Sequence, residues 1–282
     1  MLKNKVRQLL GYSGYESILW HRSLIPLPRL QPSFFVVGAQ KGGTSALYRF
    51  LTSCPDVAPA YKKELFFFDQ SFQRGLKYYR NFFPLACSGE TQIVGDFSPS
   101  YFPSEVVPQR LAKVFPNAKI IFMVRPPLER LLSHYAMAKG NGWESLSLPE
   151  ALERELERLA KAKLAGEREG LEAVNRIGYL EHSLYGKHLT RWLQEFSHEQ
   201  FLFVDNESLS SSPVNQIQKV REFIGLEAIE LDETDLLWKK RVFAGETPKE
   251  AHESIPESIS RQIEGDFDRF ERLRREGVNV ET

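Results

Sequence analysis

The sequence predicts an α/β fold, a single domain in which a central, mostly parallel β-sheet is flanked by helices. Continuous apolar segments, which are typical of strands buried on both faces of a sheet, recur along the chain. Most of them are followed by a stretch with apolar residues at helical spacing. The 282 residues are 42% hydrophobic and 12% aromatic, which suits one large core and excludes a disordered chain.

The predicted elements alternate between strands and helices. The predicted strands cover residues 33–37, 56–58, 93–95, 119–124 and 200–204. The predicted helices begin at Thr44 and Pro126 or cover residues 104–115, 179–196, 213–224 and about 256–275. Because strands alternate with helices, we expect a parallel sheet with helices on both faces. Residues 1–32 form a lead-in that ends in a proline-marked linker, and the domain should extend over residues 33–282.

The charge balance limits the possible partners. Lys+Arg and Asp+Glu are equal at 37 each, so the overall charge favours neither nucleic acid nor an anionic membrane, and an anion site must be built locally. Cys54 and Cys87 make neither a disulfide framework nor a metal motif, and the histidines form no metal pattern. No apolar run has the quality of a signal peptide or a membrane span, so we expect a cytoplasmic protein.

The turn between the first strand and the first helix has the composition of an anion-binding loop. Gly42 and Gly43 let the backbone approach a ligand closely. The free N–H groups at the helix start favour an anion, with hydroxyls from Thr44 and Ser45 and a charge from Lys41. Because Lys41 precedes both glycines, this is not a standard nucleotide-triphosphate loop. The alternative is a tight turn without a ligand.

Residues 34–47, FFVVGAQKGGTSAL, resemble the 5′-phosphosulfate loop of sulfotransferases that use 3′-phosphoadenosine 5′-phosphosulfate (PAPS). They are especially similar to the glycosaminoglycan (heparan sulfate) branch and its bacterial relatives. The resemblance implies the P-loop-kinase-like sulfotransferase fold, PAPS as donor and no required metal. It also implies that the loop binds the phosphosulfate and that Lys41 assists the departing phosphate.

A second anion site is predicted where the strand 119–124 ends in Arg125. Ligands gather at the carboxyl ends of parallel strands, and Ser133 on the following helix could join Arg125 on one phosphate. By itself an arginine in this position is often structural. Residues 119–135 resemble the family's 3′-phosphate motif, in which Arg125 and Ser133 match the two phosphate ligands. Pro126 stands where Asp or Asn is usual.

The acceptor side is predicted around Glu64, which precedes Phe66, Phe67 and Phe68. These aromatic residues should partly desolvate the carboxylate and favour its action as a base. The alternative is a surface Lys/Glu cluster beside a core aromatic run. The family has a Glu followed closely by Phe-Phe-Asp as its proposed catalytic base, and Glu64 matches it.

Residues 95–102 resemble the family's acceptor-side segment. Asp96 is expected to touch an acceptor hydroxyl or to serve as a helper carboxylate, and structural capping is the alternative. Phe97 stands where several glycosaminoglycan members carry Lys, which argues against an anionic, heparan-like acceptor.

Two further segments have weaker assignments. Lys239, Lys240 and Arg241 resemble a basic loop that closes over the cofactor in the family, although a solvated basic run is the alternative. Residues 144–176 are densely charged and predict a solvated helical insertion, begun by a capping box of Ser147 and Glu150. The alternative for this insertion is a flap beside the acceptor cleft.

Together these features predict transfer of a sulfuryl group from PAPS to a hydroxyl, or an amine, of a glycan or small molecule. Two alternatives are a nucleotide-dependent kinase of similar architecture and a non-catalytic nucleotide-binding protein. A kinase predicts a Lys before Thr44 and an Asp after a buried strand. The sequence instead has Gly43 and Arg125 at those places.

Overall fold

The computed structural model describes residues 19, 21–86, 92–230 and 254–276. At its centre lies a five-stranded sheet whose strand order is β2-β3-β1-β4-β5 and whose pairings are all parallel. The strands are β1 (Pro32–Gly38), β2 (Val57–Ala58), β3 (Ile93–Phe97), β4 (Lys119–Val124) and β5 (Phe201–Asp205). The predicted α/β fold with a parallel sheet is confirmed.

Helices surround this sheet. The described α-helices are α1 (Thr44–Thr52), α2 (Gly75–Arg80), α3 (Val107–Val114), α4 (Pro127–Gly140), α5 (Leu148–Glu153), α6 (Glu155–Ala165), α7 (Glu167–Ile177), α8 (Tyr185–Trp192), α9 (Asn206–Ser211), α10 (Pro213–Phe223) and α11 (Glu257–Glu276). A π-helix covers Phe67–Ser71, and 3₁₀ turns cover Phe72–Arg74, Glu181–Ser183 and His198–Gln200. None of the described helices is long and apolar enough to cross a membrane.

The central strand β1 shows why the sheet needs helices on both faces. Phe34 and Val36 are fully buried in one core with residues of α1 and α10, whereas Phe35 and Val37 are fully buried in a second core with residues of α3 and α8. Successive side chains of a strand point to opposite faces, so a continuous apolar run requires cover on both.

The topology brings two loops together. β1 and β4 are neighbours in the sheet, with Phe35 paired to Ile120 and Val36 to Ile121. The loops that follow these two strands therefore lie side by side at the carboxyl edge of the sheet, where open parallel sheets bind ligands.

Two predicted segments differ from the structure. The predicted helix 179–196 is a 3₁₀ turn followed by α8, because Leu184 takes a non-helical conformation between them. The charged insertion is three helices, α5 to α7, and the predicted capping box of Ser147 and Glu150 is present. The insertion is not merely solvated, because Glu155 of α6 is buried and accepts hydrogen bonds from the N–H groups of Leu180 and Glu181.

Candidate functional site

The loop from Gly38 to Thr44 is fixed to the end of β4. The N–H of Ala39 donates to the carbonyl oxygen of Met123 at 3.0 Å, and the N–H of Gly42 donates to Ala39 at 2.8 Å. Lys41 has a positive φ of 70°, which is uncommon for a residue with a side chain. Strained backbone of this kind persists where the surrounding structure enforces it, and it often marks a ligand site.

Both glycines of the loop are required by space. A Cβ at Gly42 would lie 2.9 Å from the carbonyl oxygens of Ala39 and Met123. Gly43 has a φ of 101°, and its Cβ would lie 2.4 Å from the amide nitrogen of Asn206. That nitrogen donates to the carbonyl oxygen of Gly42 at 3.0 Å and so closes the loop against the residue that follows β5. Asn206 was not predicted as a site residue. Its signal in the sequence was that of a polar residue directly after a strand.

The start of α1 presents free donors. Among the described residues, the N–H groups of Gly43, Thr44 and Ser45 donate to no protein acceptor. The first N–H groups of a helix lack partners within it, and they lie at the positive end of its dipole. The hydroxyls of Thr44, which is buried, and Ser45, which is half-buried, belong to the same turn. This part of the predicted anion loop can therefore bind an anion.

Three cations meet beside these donors. Arg125 donates to the carbonyl oxygen of Lys41 at 3.3 Å, and Arg130 donates to that of Gln40 at 3.5 Å. Burial lowers the pKa of Lys41, and the charges of Arg125 and Arg130 lower it further. No carboxylate of the described residues pairs with Lys41, and Arg125 has only the half-exposed Glu129 at 3.4 Å. The site thus has a concentration of positive charge that an anionic ligand would relieve.

Arg130 was missed as a site residue. Its side chain is fully buried, and it donates to Ser183 Oγ at 2.8 and 3.0 Å and to the carbonyl oxygen of Tyr179. These hydrogen-bond partners are neutral, and burial lowers the pKa of Arg130 to about 10, against the effect of the Glu155 carboxylate. Its signal in the sequence was its place between Arg125 and Ser133 in the segment that resembles the 3′-phosphate motif.

The predicted partner Ser133 lies on α4, one helical turn after Arg130, and is half-buried. Residues three apart share a helix face, so Ser133 and Arg130 lie on the same side of α4. No hydrogen bond joins Ser133 to Arg125 in the described part of the chain. Their joint role at a 3′-phosphate stays a prediction.

The predicted acceptor side centres on a carboxylate, whereas the anion loop is surrounded by cations. Glu64 has a φ of 62°, its N–H donates to the carbonyl oxygen of Phe97 at 3.0 Å, and its side chain is 40% exposed. The Glu64 side chain is thus partly covered, and its role as a base stays a prediction. Phe67 and Phe68 are fully buried in the core, whereas the Glu64 carboxylate lies at the surface and pairs with Lys63 at 2.8 Å.

Asp96 and Phe97 lie beneath this segment. The Asp96 side chain has no exposed surface, and its oxygens accept hydrogen bonds from Tyr79 at 2.8 Å, Ser98 at 2.6 Å and Tyr101 at 3.0 Å. Phe97 is a buried ring. The structure therefore does not bring these two predicted acceptor contacts to the surface, because the hydroxyls and the core already surround them.

A second buried carboxylate, Asp69, stands at the end of the aromatic run. Asp69 accepts hydrogen bonds from Ser100 Oγ at 2.7 Å and from the N–H of Gln70 at 2.8 Å. Burial raises its pKa to about 6, against the effect of these hydrogen bonds. Asp69 is the aspartate of the Phe-Phe-Asp sequence that follows Glu64, and no role was predicted for it.

The charged insertion contacts the predicted anion loop. The amide nitrogen of Gln40 donates to the carbonyl oxygen of Asn175 in α7 at 3.1 Å, and His134 Nε2 lies 3.1 Å from the same oxygen. Helix α7 also contacts the π-helix that contains Asp69. These contacts show that α7 packs against the loop and the π-helix, so the insertion is not freely solvated.

The predicted basic loop of Lys239, Lys240 and Arg241 lies outside the described residues, as does Cys87. Within the described ranges, Cys54 is buried and free, and no cluster of His, Cys, Asp or Glu could hold a metal ion.

Comparisons with known proteins agree with this geometry. A family model described as "Sulfotransferase domain" matches residues 31–279. Human heparan sulfate glucosamine 3-O-sulfotransferase 6 is 36% identical over 209 residues, which are 73% of this chain and 56% of the human protein. The mouse protein of the same name is 31% identical over 263 residues, which are 88% of this chain and 72% of that protein.

The crystal structure of a sulfotransferase from Alicyclobacillus acidocaldarius is similar, with a TM-score of 0.67 and 26% identity. The match covers 86% of this chain and 96% of that one. The family model spans most of the sequence, including both predicted anion sites, and the folds agree. The protein is therefore a member of the sulfotransferase family.

Proposed function

We propose that this protein transfers the sulfuryl group of PAPS to a hydroxyl, or an amine, of a glycan or small molecule. The observation that supports PAPS as donor is the position of Lys41, half-buried between Arg125 and Arg130 beside the free N–H groups at the start of α1. A phosphosulfate linked to a 3′-phosphate would bring anionic groups to both loops at once.

In the proposed reaction, Glu64 accepts the proton of the acceptor group as the acceptor atom forms its bond to sulfur. The bond between sulfur and the 5′-phosphate oxygen breaks, and that oxygen takes the bonding electrons. Lys41 and the N–H groups of Gly43 and Thr44 stabilise the developing charge. Positioning and charge stabilisation dominate group transfer of this kind, as in phosphoryl transfer.

The second loop supplies donor specificity in this proposal. Arg125 follows β4 at the carboxyl edge of the sheet, and Ser133 lies two turns into α4. A guanidinium and a hydroxyl on neighbouring elements can bind one phosphate. Arg125 and Ser133 would bind the 3′-phosphate, which distinguishes PAPS from adenosine 5′-phosphosulfate.

For the acceptor, a glycan hydroxyl is the first class to test. The names of the human and mouse relatives specify a glucosamine hydroxyl of heparan sulfate. Phe97 occupies a position at which the resemblance leads us to expect Lys, and its ring is buried. An acceptor less anionic than heparan sulfate therefore belongs in the same test.

The kinase alternative lacks support in the loop. It requires Lys in place of Gly43, where the positive φ and the contact with Asn206 leave no room for a side chain. A sulfotransferase loop has no such requirement.

The test is a transfer assay with PAPS carrying sulfur-35, the purified protein, and acceptors that include desulfated heparan sulfate, neutral oligosaccharides and small alcohols and amines. We expect label in at least one acceptor and no phosphate transfer when ATP replaces PAPS. Calorimetric titration should show binding of 3′-phosphoadenosine 5′-phosphate (PAP) even without an acceptor. Failure of PAP to bind, or transfer of phosphate from ATP, would contradict the proposal.

A further inference from the structure

The backbone that leads to and from Glu64 is held by buried hydroxyls. The N–H of Leu65 donates to Ser98 Oγ at 3.0 Å. The N–H groups of Phe67 and Phe68 donate to the hydroxyl of Tyr101 at 3.1 and 3.4 Å. Both hydroxyls belong to the segment that follows β3, so two distant parts of the chain are joined directly below the exposed carboxylate.

Both hydroxyls donate a hydrogen bond to the same carboxylate, that of Asp96. Ser98 Oγ donates to Asp96 Oδ1 at 2.6 Å, and the Tyr101 hydroxyl donates to Asp96 Oδ2 at 3.0 Å. An ionised carboxylate only accepts hydrogen bonds, so it fixes the direction of both hydroxyls and leaves their lone pairs for the backbone N–H groups. All three residues are fully buried.

This support holds an unfavourable backbone. Glu64 and Phe66 both have positive φ, 62° and 51°. Such conformations are unfavourable in residues with side chains and persist only where the surrounding structure over-determines them. The residues with the anchored N–H groups, Leu65 and Phe67, alternate with the strained ones.

We propose that Asp96 positions Glu64, acting through the hydroxyls of Ser98 and Tyr101. Asp96 does not touch Glu64 or the acceptor; it orients two hydroxyls, which hold the strained backbone that presents the Glu64 carboxylate. This inference rests on the proposed role of Glu64 as the base and adds three positioning residues to it.

The molecule contains its own control. Tyr79 also donates to Asp96 Oδ2, at 2.8 Å, and is buried to the same degree as Tyr101. Within the described part of the chain, however, no backbone N–H donates to the Tyr79 hydroxyl. Removing either tyrosine hydroxyl deletes one hydrogen bond to Asp96, but only Tyr101 also anchors the segment after Glu64.

The experiment compares Tyr101→Phe and Ser98→Ala with Tyr79→Phe. We expect kcat to fall by about tenfold to 10²-fold in the first two variants, because a small misplacement of a reacting group has effects of that order. In Tyr79→Phe, kcat should stay within a few-fold of wild type. The Kd of PAP should change little in all three. Ser98→Ala tests the same point independently if Tyr101→Phe does not fold.

Repeating the substitutions in a Glu64→Gln background distinguishes an effect on the position of Glu64 from a loss of activity that does not depend on Glu64. If Tyr101 acts through Glu64, Tyr101→Phe should add almost nothing to the loss already caused by Glu64→Gln. Equal losses in both backgrounds, or equal effects of Tyr101→Phe and Tyr79→Phe, would overturn the inference while leaving Glu64 as the base. A Glu64→Gln variant as fast as wild type would instead remove the proposed base, and the inference with it.

Discussion

The donor and acceptor sides of this site are stabilised by opposite means. On the donor side, Lys41, Arg125 and Arg130 lie together, and the half-exposed Glu129 beside Arg125 offsets only part of their positive charge. On the acceptor side, the carboxylate of Glu64 is partly exposed and ion-paired with Lys63. The buried hydrogen bonds there hold the backbone below it. The donor side is organised by charge, and the acceptor side by backbone geometry.

We therefore expect substitutions on the two sides to change different measured quantities. Donor-side changes should alter nucleotide affinity or charge stabilisation. Acceptor-side changes should lower turnover while nucleotide affinity stays constant.

Glu64→Gln should have the largest effect. It keeps the shape of the side chain but removes the base, and loss of a general base costs about 10²–10⁴ in rate. The measurement is kcat with saturating PAPS and acceptor, with the Kd of PAP from calorimetry. Glu105→Gln is the control, because Glu105 is also an exposed carboxylate paired with a lysine. An unchanged kcat in Glu64→Gln would place the base elsewhere.

Lys41→Ala should lower kcat by ~10²–10³, the usual cost of removing one well-placed donor from a developing negative charge. The Kd of PAP should rise much less than kcat falls. Single-turnover kinetics with PAPS would measure the chemical step directly. Turnover within a few-fold of wild type would exclude the assigned role of Lys41.

Arg125→Ala tests recognition. A hydrogen bond to a charged group contributes roughly 1.5–3 kcal/mol, or about 10- to 150-fold in affinity. PAP should bind that much more weakly, whereas adenosine 5′-phosphate, which lacks the 3′-phosphate, should bind as before. Titrating both nucleotides against both proteins forms a double cycle. Equal losses for the two nucleotides would mean that Arg125 does not contact the 3′-phosphate.

The smallest expected effect concerns the stability of the acceptor side. Burial raises the pKa of Asp96 from its ordinary 3.8 to about 6, against the hydrogen bonds from its hydroxyl partners. Between these values the unfolded chain releases this proton and the folded chain keeps it, so the Asp96 contribution to stability falls as pH rises. The difference in free energy of unfolding, wild type minus Asp96→Asn, should decrease by at most about 1.4 kcal/mol per pH unit in that window.

Urea titrations of both proteins at pH 4.5, 5.5 and 7.5 would measure this decrease. A difference that is independent of pH would show that Asp96 ionises equally in the folded and unfolded chain.

The contrast between the two sides also explains what the sequence could predict. The strands 33–37 and 119–124 were evident because both faces are buried, and the donor residues follow these strands directly. Lys41, Gly43 and Arg125 could therefore be assigned from contiguous segments. Asn206 could not, because its contact with Gly42 depends on how β5 is placed in the sheet.

The acceptor side was predicted less well. The aromatic run beside Glu64 predicted a partly desolvated carboxylate, but it did not predict the positive φ angles at Glu64 and Phe66 or the full burial of Phe67 and Phe68. The role of Asp96 depends on hydroxyls that come from another segment of the chain and on their direction. Neither the backbone turn nor the direction of a hydroxyl has a signal in residue spacing.

The contact between Gly43 and Asn206 has a consequence for engineering the loop. A triphosphate-binding loop carries Lys immediately before its Ser or Thr, which is the place of Gly43 here. A Lys there would put its Cβ 2.4 Å from the Asn206 amide, with a φ of 101°, and would displace the group that closes the loop. A design that converts this loop to triphosphate binding therefore has to change Asn206 together with Gly43, because the two positions share one space.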